Sequence, residues 1–424
     1  MQSADSGVDP EERVTPAEEV KEVEALAAGL SGLELTSGLS ATAGRVRKSR
    51  RPPARVWLRL AAAFQPGLAD ARSEAAAKAA LVAGVAEMQG DVLELGHAWG
   101  DMAKPLASWR GKRLYGDPTW RSDVIMGVSY VNEEGLPTHL CLYTTYLLGS
   151  LSTHVCCLTS LMHLSLFHNE ITHLPDAIGR LTSLVTLNLC HNRLTSLPDT
   201  ISHLISLTDL ILGENQLTAL PDAIGALTSL THLGLDDNQL VALPDAIGAL
   251  TSLTFLSLNR NQLTNLPDAI GGLTCLTELD LGYNQLTALP DAFGALTSLK
   301  ELNVSSNQLT ALPDAFGGLT CLTELNVSSN RLTVLPDTIW RLTSLTRLDA
   351  DSNQLTVLPE GIGRLTNLTH ATFAQNHLTT LPDTIKHLVR LWTLGLGDNR
   401  FSVAEKRRIQ RMMELHLRHC RPWL

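Results

Sequence analysis

Residues 207–230 read LTDLILGENQLTALPDAIGALTSL. Leu207, Leu210 and Leu212 alternate inward as a short strand over a core requires, and Asp209, Ile211 and Gly213 point outward. Asn215 then turns the chain. Its amide carries two donors and an acceptor, so it can satisfy buried backbone groups of its own turn and of a neighbouring one; Leu cannot, and Asp lacks the donors. Leu217 and Leu220 continue the interior. Pro221 and Asp222 open a short helical stretch ending near Gly225, with proline at the first helical position and an acid at the helix N-terminus. Ile224 and Leu227 close the core.

One such unit cannot bury its own leucines. The sequence repeats it: Asn169, Asn192, Asn215, Asn238, Asn261, Asn284, Asn307, Asn330, Asn353, Asn376 and Asn399 follow one another at a constant interval, without insertion or deletion. Stacked coils share one continuous interior, and each asparagine becomes a rung of a ladder. The expected class is α/β: a curved solenoid with a parallel β-sheet on its concave face and short helices or irregular turns on its convex face. Eleven strands at about 4.8 Å each give a concave face on the order of 50 Å long. Only 4% of residues are aromatic, so the core rests on Leu, Ile, Val and Ala.

Both ends of such a stack need covers. Between Leu136 and Leu158, the residues Leu148, Leu151, Val155 and Leu158 keep the spacing while Tyr146 replaces the asparagine, which reads as a worn first repeat. Past the last asparagine, Ser402 and Glu405 form an S-x-x-E capping box. In the helix it starts, Ile409, Met412, Met413, His416 and Cys420 share one side, expected to cover the final coil. Lys406, Arg407, Arg408, Arg411 and Arg418 fall opposite.

The units LPDAIGALTSLTHLGLDDNQL and LPDAIGGLTCLTELDLGYNQL resemble the leucine-rich-repeat superfamily. The 23-residue form with LPxxI is similar to the Ras-suppressor, Scribble-like and plant intracellular Ras-group-related branch. The likeness spans roughly residues 136–400. It implies a leucine-rich-repeat solenoid and a cytosolic scaffold or regulator that binds proteins, often a small GTPase or another signalling protein. Fold alone does not name the partner.

Upstream, residues 1–55 read as a disordered arm. The arm is acidic as far as Ser40 and then basic at Arg45, Arg47, Lys48, Arg50, Arg51 and Arg55. Residues 56–135 read as a helical and irregular region of unknown type. A helix is expected over Ala69–Met88, and Trp99, Trp109 and Trp120 stand among Gly and Pro. Residues 136–400 form the solenoid and 401–424 the C-terminal capping helix.

The net charge is −10, and residues 158–400 hold 22 Asp and Glu against 11 Lys and Arg, which argues against non-specific nucleic-acid binding by the main body. Seven cysteines, an odd number without a clustered framework, point to a reducing compartment. The opening MQSADSGVDPEER lacks the basic-then-apolar pattern of a secretory leader, and no run of about 18 apolar residues predicts a membrane span. The expected location is cytoplasmic, with the Arg45–Arg55 cluster as an alternative nuclear address.

Outward strand positions lie six, four, two and one residues before each ladder asparagine. In the middle coils they are acidic: Asp209, Glu214, Asp236, Asp237, Glu278, Asp280, Glu301, Glu324, Asp349 and Asp351. Glu278, Glu301 and Glu324 share one column at about 5 Å spacing, where like charges repel. A basic partner surface would relieve that repulsion. Duplication is the alternative account, since ELNVSSN stands at both 301–307 and 324–330 and shared ancestry explains much of the column. Phe255, Arg260, Tyr283 and Arg347 sit among these acids as candidate anchors, aromatic and Arg residues being those that dominate interfaces.

His168 and His191 share a column, Cys190 precedes His191, and His163 and His232 are on the same face. They form no C-x-x-C or H-x-x-x-H pattern, so they read as surface histidines, with no metal or cofactor expected. No GxxxxGK[ST], GxSxG or HExxH occurs, and no cysteine is followed two residues on by Asp, as the bacterial leucine-rich-repeat ubiquitin ligases require. The expected function is a non-enzymatic interaction scaffold. Two alternatives stay open: a targeting module for a small catalytic or adaptor unit in residues 56–135, and a nucleic-acid-associated protein acting through the basic arm.

Overall fold

The structure, a computed structural model, describes residues 127–131, 137–142, 148–151, 153, 155–417 and 420–423. The acidic arm, the Arg45–Arg55 cluster, the Ala69–Met88 helix and the three tryptophans lie outside these residues. The chain divides into two compact units, Met1–Leu184 and Val185–Leu424.

In the first unit, strand β1 (Gly127–Val131) runs antiparallel to β2 (Pro137–Cys141). Its position is upstream of residue 136, where the spacing places the first repeat. Strand β2 pairs in parallel with β4 (His163–Ser165), and β3 (Leu148–Ser150) pairs in parallel with β5 (Glu170–His173). Leu151, Val155 and Leu158 are buried, as the repeat spacing requires. The worn coil lacks an asparagine of its own but offers a carbonyl to the next one: Asn169 Nδ2 donates to Leu142 O at 2.7 Å and to Leu166 O at 2.9 Å.

The second unit is a continuous parallel sheet. Its strands are β6 (Thr186–Asn188), β7 (Asp209–Ile211), β8 (His232–Gly234), β9 (Phe255–Ser257), β10 (Glu278–Asp280) and β11 (Glu301–Asn303). They continue with β12 (Glu324–Asn326), β13 (Arg347–Asp349), β14 (His370–Thr372), β15 (Thr393–Gly395) and β16 (Arg421–Trp423). Each strand pairs with the next in the same register, so Glu278, Glu301, Glu324 and Arg347 are directly adjacent in one row.

Opposite the sheet, each coil carries a five-residue 3₁₀ turn, such as Asp222–Ala226. Pro221 is the extended residue that precedes this turn, so Asp222 rather than the proline takes the first helical position. Between sheet and turn, Leu207, Leu210, Leu212, Leu217, Ile224, Leu227 and Leu230 are completely buried. Removing such a side chain from water stabilises by about 1.5–3 kcal/mol each, which makes the shared interior the main source of stability. Where one position shrinks, another grows: Ala350 and Ala371 are fully buried and so is Phe373. Phe293 and Phe316 replace the usual isoleucine of adjacent turns, and their rings stack 6.0 Å apart.

The asparagines hold the coils together. Asn261 Nδ2 donates to Leu235 O of the preceding coil at 2.9 Å and to Leu258 O of its own at 3.1 Å, while its Oδ1 accepts from Leu240 N at 3.0 Å. Asn215, Asn238, Asn284, Asn307, Asn330, Asn353 and Asn376 repeat this pattern. A second, hydroxyl ladder runs beside it: Thr231, Thr254 and Thr277 each donate Oγ1 to the carbonyl of the threonine one coil back.

Helix α1 (Val403–His416) covers the last 3₁₀ turn and buries Ile409, Met412 and Met413. His416, expected on that side, is exposed, and Leu417 is buried instead. The capping box is half used. Ser402 Oγ accepts from Glu405 N, but the Glu405 carboxylate accepts from Leu381 N and pairs with Arg408. Arg408, expected on the free side, also reaches Asp383 and Leu381 O, because the carbonyls and acids of the preceding coil need a donor. The chain then returns to the sheet as β16.

Candidate functional site

The sheet face of the second unit presents four columns of side chains, and a backbone feature sets their directions. Every residue just before a ladder asparagine is left-handed, from His168 and His191 through Glu214, Asp237, Arg260 and Tyr283 to Asp398, with φ between 51° and 55°. Such backbone disfavours β-branched residues, and none occupies the column. The inward turn of the asparagine imposes it, so these side chains are aimed by the ladder.

The acids on this face divide into two kinds. Some hold coils together. Asp280 accepts from Asn259 Nδ2, Asn303 Nδ2 and Gly282 N, at 3.1, 2.8 and 3.0 Å, joining three successive coils. Asp349 accepts from Thr372 Oγ1, and Asp351 from Ala374 N. Asp209 lies 3.1 Å from His232 Nδ1 and accepts from Thr208 Oγ1. Burial and the neighbouring Asp349 push the Asp351 carboxyl up. Burial raises Asp236 further, to about 6, with Asp237, Glu214 and Asp280 adding to the effect.

Others face solvent. Glu301 and Glu324 are exposed, Glu278 is half-buried, and the row ends on the exposed Arg347. On the turns that follow β9 and β10, the Arg260 guanidinium lies over Tyr283 at 5.3 Å and reaches toward Asp237 at 3.8 Å. Tyr283 is 57% exposed. Phe255 stacks on His232 at 6.1 Å and is only half-buried. The structure therefore brings Phe255, Arg260, Tyr283 and the glutamate row onto one face, and assigns Asp280, Asp349 and Asp351 to bracing it.

The structure adds Glu214 to the Cys190–His191 pair, which the sequence read as a surface position with no metal expected. Cys190 Sγ, a His191 ring nitrogen and a Glu214 carboxylate oxygen all lie within 4.8 Å of one another. Burial pushes the Cys190 thiol up, and Asp236 and Glu214 push it further. Sequence spacing shows Cys190 and His191 side by side but not Glu214, which stands a full repeat further on in the next coil.

Residues 146–238 and 224–308 match the family described as leucine-rich repeat region. Residues 286–332, 297–355 and 343–401 match leucine rich repeat. The chain belongs to the leucine-rich-repeat family. A solved leucine-rich-repeat protein of Leptospira interrogans is 32% identical, with a TM-score of 0.51, over 70% of this chain and 88% of that one. An internalin of Listeria monocytogenes is 23% identical with a TM-score of 0.59, over 67% of this chain and 79% of that one, and shows the shared fold. The plant peptide hormone receptor RGFR1, solved with RGF2, is 32% identical with a TM-score of 0.57, over 62% of this chain and 44% of that one. Among curated proteins, no sequence matches. Leucine-rich repeats commonly mediate protein–protein interaction. No helix among the described residues is long and apolar enough to cross a membrane.

Proposed function

We propose that this chain is a non-enzymatic scaffold that captures a protein partner on the sheet face of its central coils. The carrying observation is the row Glu278, Glu301, Glu324, in register on adjacent strands, with the Arg260–Tyr283 pair on the turns after β9 and β10. Like charges held one strand apart are relieved by a basic surface, and a stacked aromatic–Arg pair is the kind of group that anchors an interface. The partner is accordingly a protein with a basic patch. RGFR1, matched over 44% of its own length, is solved in complex with RGF2, which supports a ligand-capturing role for this chain. The LPxxI form, similar to the Ras-suppressor and Scribble-like branch, supports a cytoplasmic signalling setting and a small GTPase as the partner class.

Deleting residues 1–126 tests this reading against a catalytic unit in the N-terminal region. A scaffold keeps its partner in quantitative affinity capture after the deletion. Loss of capture, or an enzymatic activity that disappears with those residues, contradicts it.

A further inference from the structure

Cys190 and His191 sit in the loop after β6, and Glu214 in the loop after β7. These loops are strapped together. His191 N donates to Gly213 O at 3.0 Å, Asn192 N to Glu214 O at 3.2 Å, and Glu214 N to Asp236 O at 2.8 Å. Two rungs of the ladder pin them from below: Asn192 Nδ2 donates to Cys190 O, and Asn215 Nδ2 to Leu189 O and Gly213 O. Cys190 N is held by Asn188 Oδ1 at 3.0 Å. The three donor side chains therefore project from backbone that is fixed before any ligand arrives.

We propose that Cys190, His191 and Glu214 form a binding site for a zinc-type divalent ion on the sheet face. Their sulfur, nitrogen and oxygen donors lie within 4.8 Å of one another, and His191 Nδ1 is 2.7 Å from Glu214 Oε2. Tetrahedral zinc with ligands at about 2.0–2.3 Å sets its donors roughly 3.5 Å apart. The histidine–glutamate pair must open by somewhat less than about 1 Å to reach that spacing. Both side chains are about a third exposed, at 29% and 33%, which leaves them room to turn.

The donor set selects the ion. Calcium and magnesium take oxygen ligands, and magnesium keeps its waters. A thiolate with an imidazole suits zinc, or cobalt as its spectroscopic substitute. On binding, the Cys190 S–H bond breaks, the sulfur–metal bond forms and the proton leaves to solvent. The surroundings are anionic. Asp236 lies on the far side of Gly213, so near that a Cβ on Gly213 would meet its Oδ1 at 2.8 Å. Three protein ligands leave one coordination position for water or for a donor brought by a partner.

The test uses the full chain with the exposed Cys157, Cys275 and Cys321 changed to Ser, so that adventitious thiols do not report. Cobalt(II) titration is expected to give a thiolate-to-cobalt charge-transfer band that saturates at one equivalent and is displaced by zinc. Cys190→Ser loses the band. Glu214→Gln, on a partly exposed side chain that leaves the circular dichroism spectrum unchanged, weakens zinc binding by about tenfold or more. At the same concentration zinc raises the Tm of the parent, raises that of Glu214→Gln by less, and leaves that of Cys190→Ser unchanged. No charge-transfer band in the parent, or an equal band in Cys190→Ser, overturns the site and leaves a hydrogen-bonded histidine–glutamate pair beside a buried thiol.

Discussion

The guanidinium of Arg260 lies over the ring of Tyr283, 5.3 Å from its centroid, although the two stand a full repeat apart in sequence. Both occupy the left-handed position before a ladder asparagine, at φ 53° and 55°. Their contact is thus set by the stacking of coils rather than by side-chain chance. A double-mutant cycle on Arg260→Ala and Tyr283→Ala, read by urea unfolding, is expected to give a coupling of about 0.5–1 kcal/mol, as for an exposed cation–π pair.

A ladder asparagine such as Asn261 satisfies buried backbone groups of two coils at once. Asn261→Asp keeps the acceptor for Leu240 N but removes the donors to Leu235 O and Leu258 O and places a charge among carbonyls. It should cost about 3 kcal/mol or more, since each buried group left unsatisfied costs about 1–3 kcal/mol and a charge costs more. Asn399, only partly buried, should lose less on the same change. Chemical denaturation of both variants measures the difference.

Trp340 is buried because Gly361 makes room for it. A Cβ at residue 361 would run into the Trp340 indole at Cδ1 and Cγ. Gly361→Ala should destabilise by about 1–3 kcal/mol, the usual cost of overpacking. Gly397, with nothing within 4 Å of its Cβ direction, should accept alanine within about 0.5 kcal/mol. Urea unfolding of the two variants checks the contrast.

Stability should fall as pH rises through the range set by Asp236. Its carboxyl titrates near 6 in the folded chain against 3.8 without the fold. Between those values the folded state binds more protons than the unfolded one, so the penalty is absent below the lower value and complete above the higher. Asp236→Asn should remove that slope and raise stability at neutral pH by about 2–3 kcal/mol. Tm measured across the range decides it.

Much of this architecture was legible because one residue type had to recur. Only an amide side chain can both give to and take from two coils, and its spacing fixed the strand phase, the buried leucines and the row of Glu278, Glu301 and Glu324. Other features left no local pattern. The three-residue β16 contains Pro422 and shows no alternation. Strand β1 precedes the repeats altogether. The left-handed column holds His, Glu, Asp, Arg, Tyr, Ser and Gln, with no glycine to mark it. Asp280 reads as one more surface acid until its three donors from neighbouring coils are seen. Glu405 completes a capping motif in sequence, yet its carboxylate accepts from Leu381 N at 3.0 Å and pairs with Arg408. Relations between coils, rather than within one, were what local spacing could not carry.

The docking row itself is tested by reversing it. Glu278→Lys, Glu301→Lys and Glu324→Lys together change the charge of three adjacent strands without touching the leucine interior or the asparagine ladder. Quantitative affinity capture with the parent and the triple variant is the direct measurement. The scaffold reading expects a basic partner to be retained by the parent and lost by the variant, with an unchanged circular dichroism spectrum; capture that survives the reversal contradicts it.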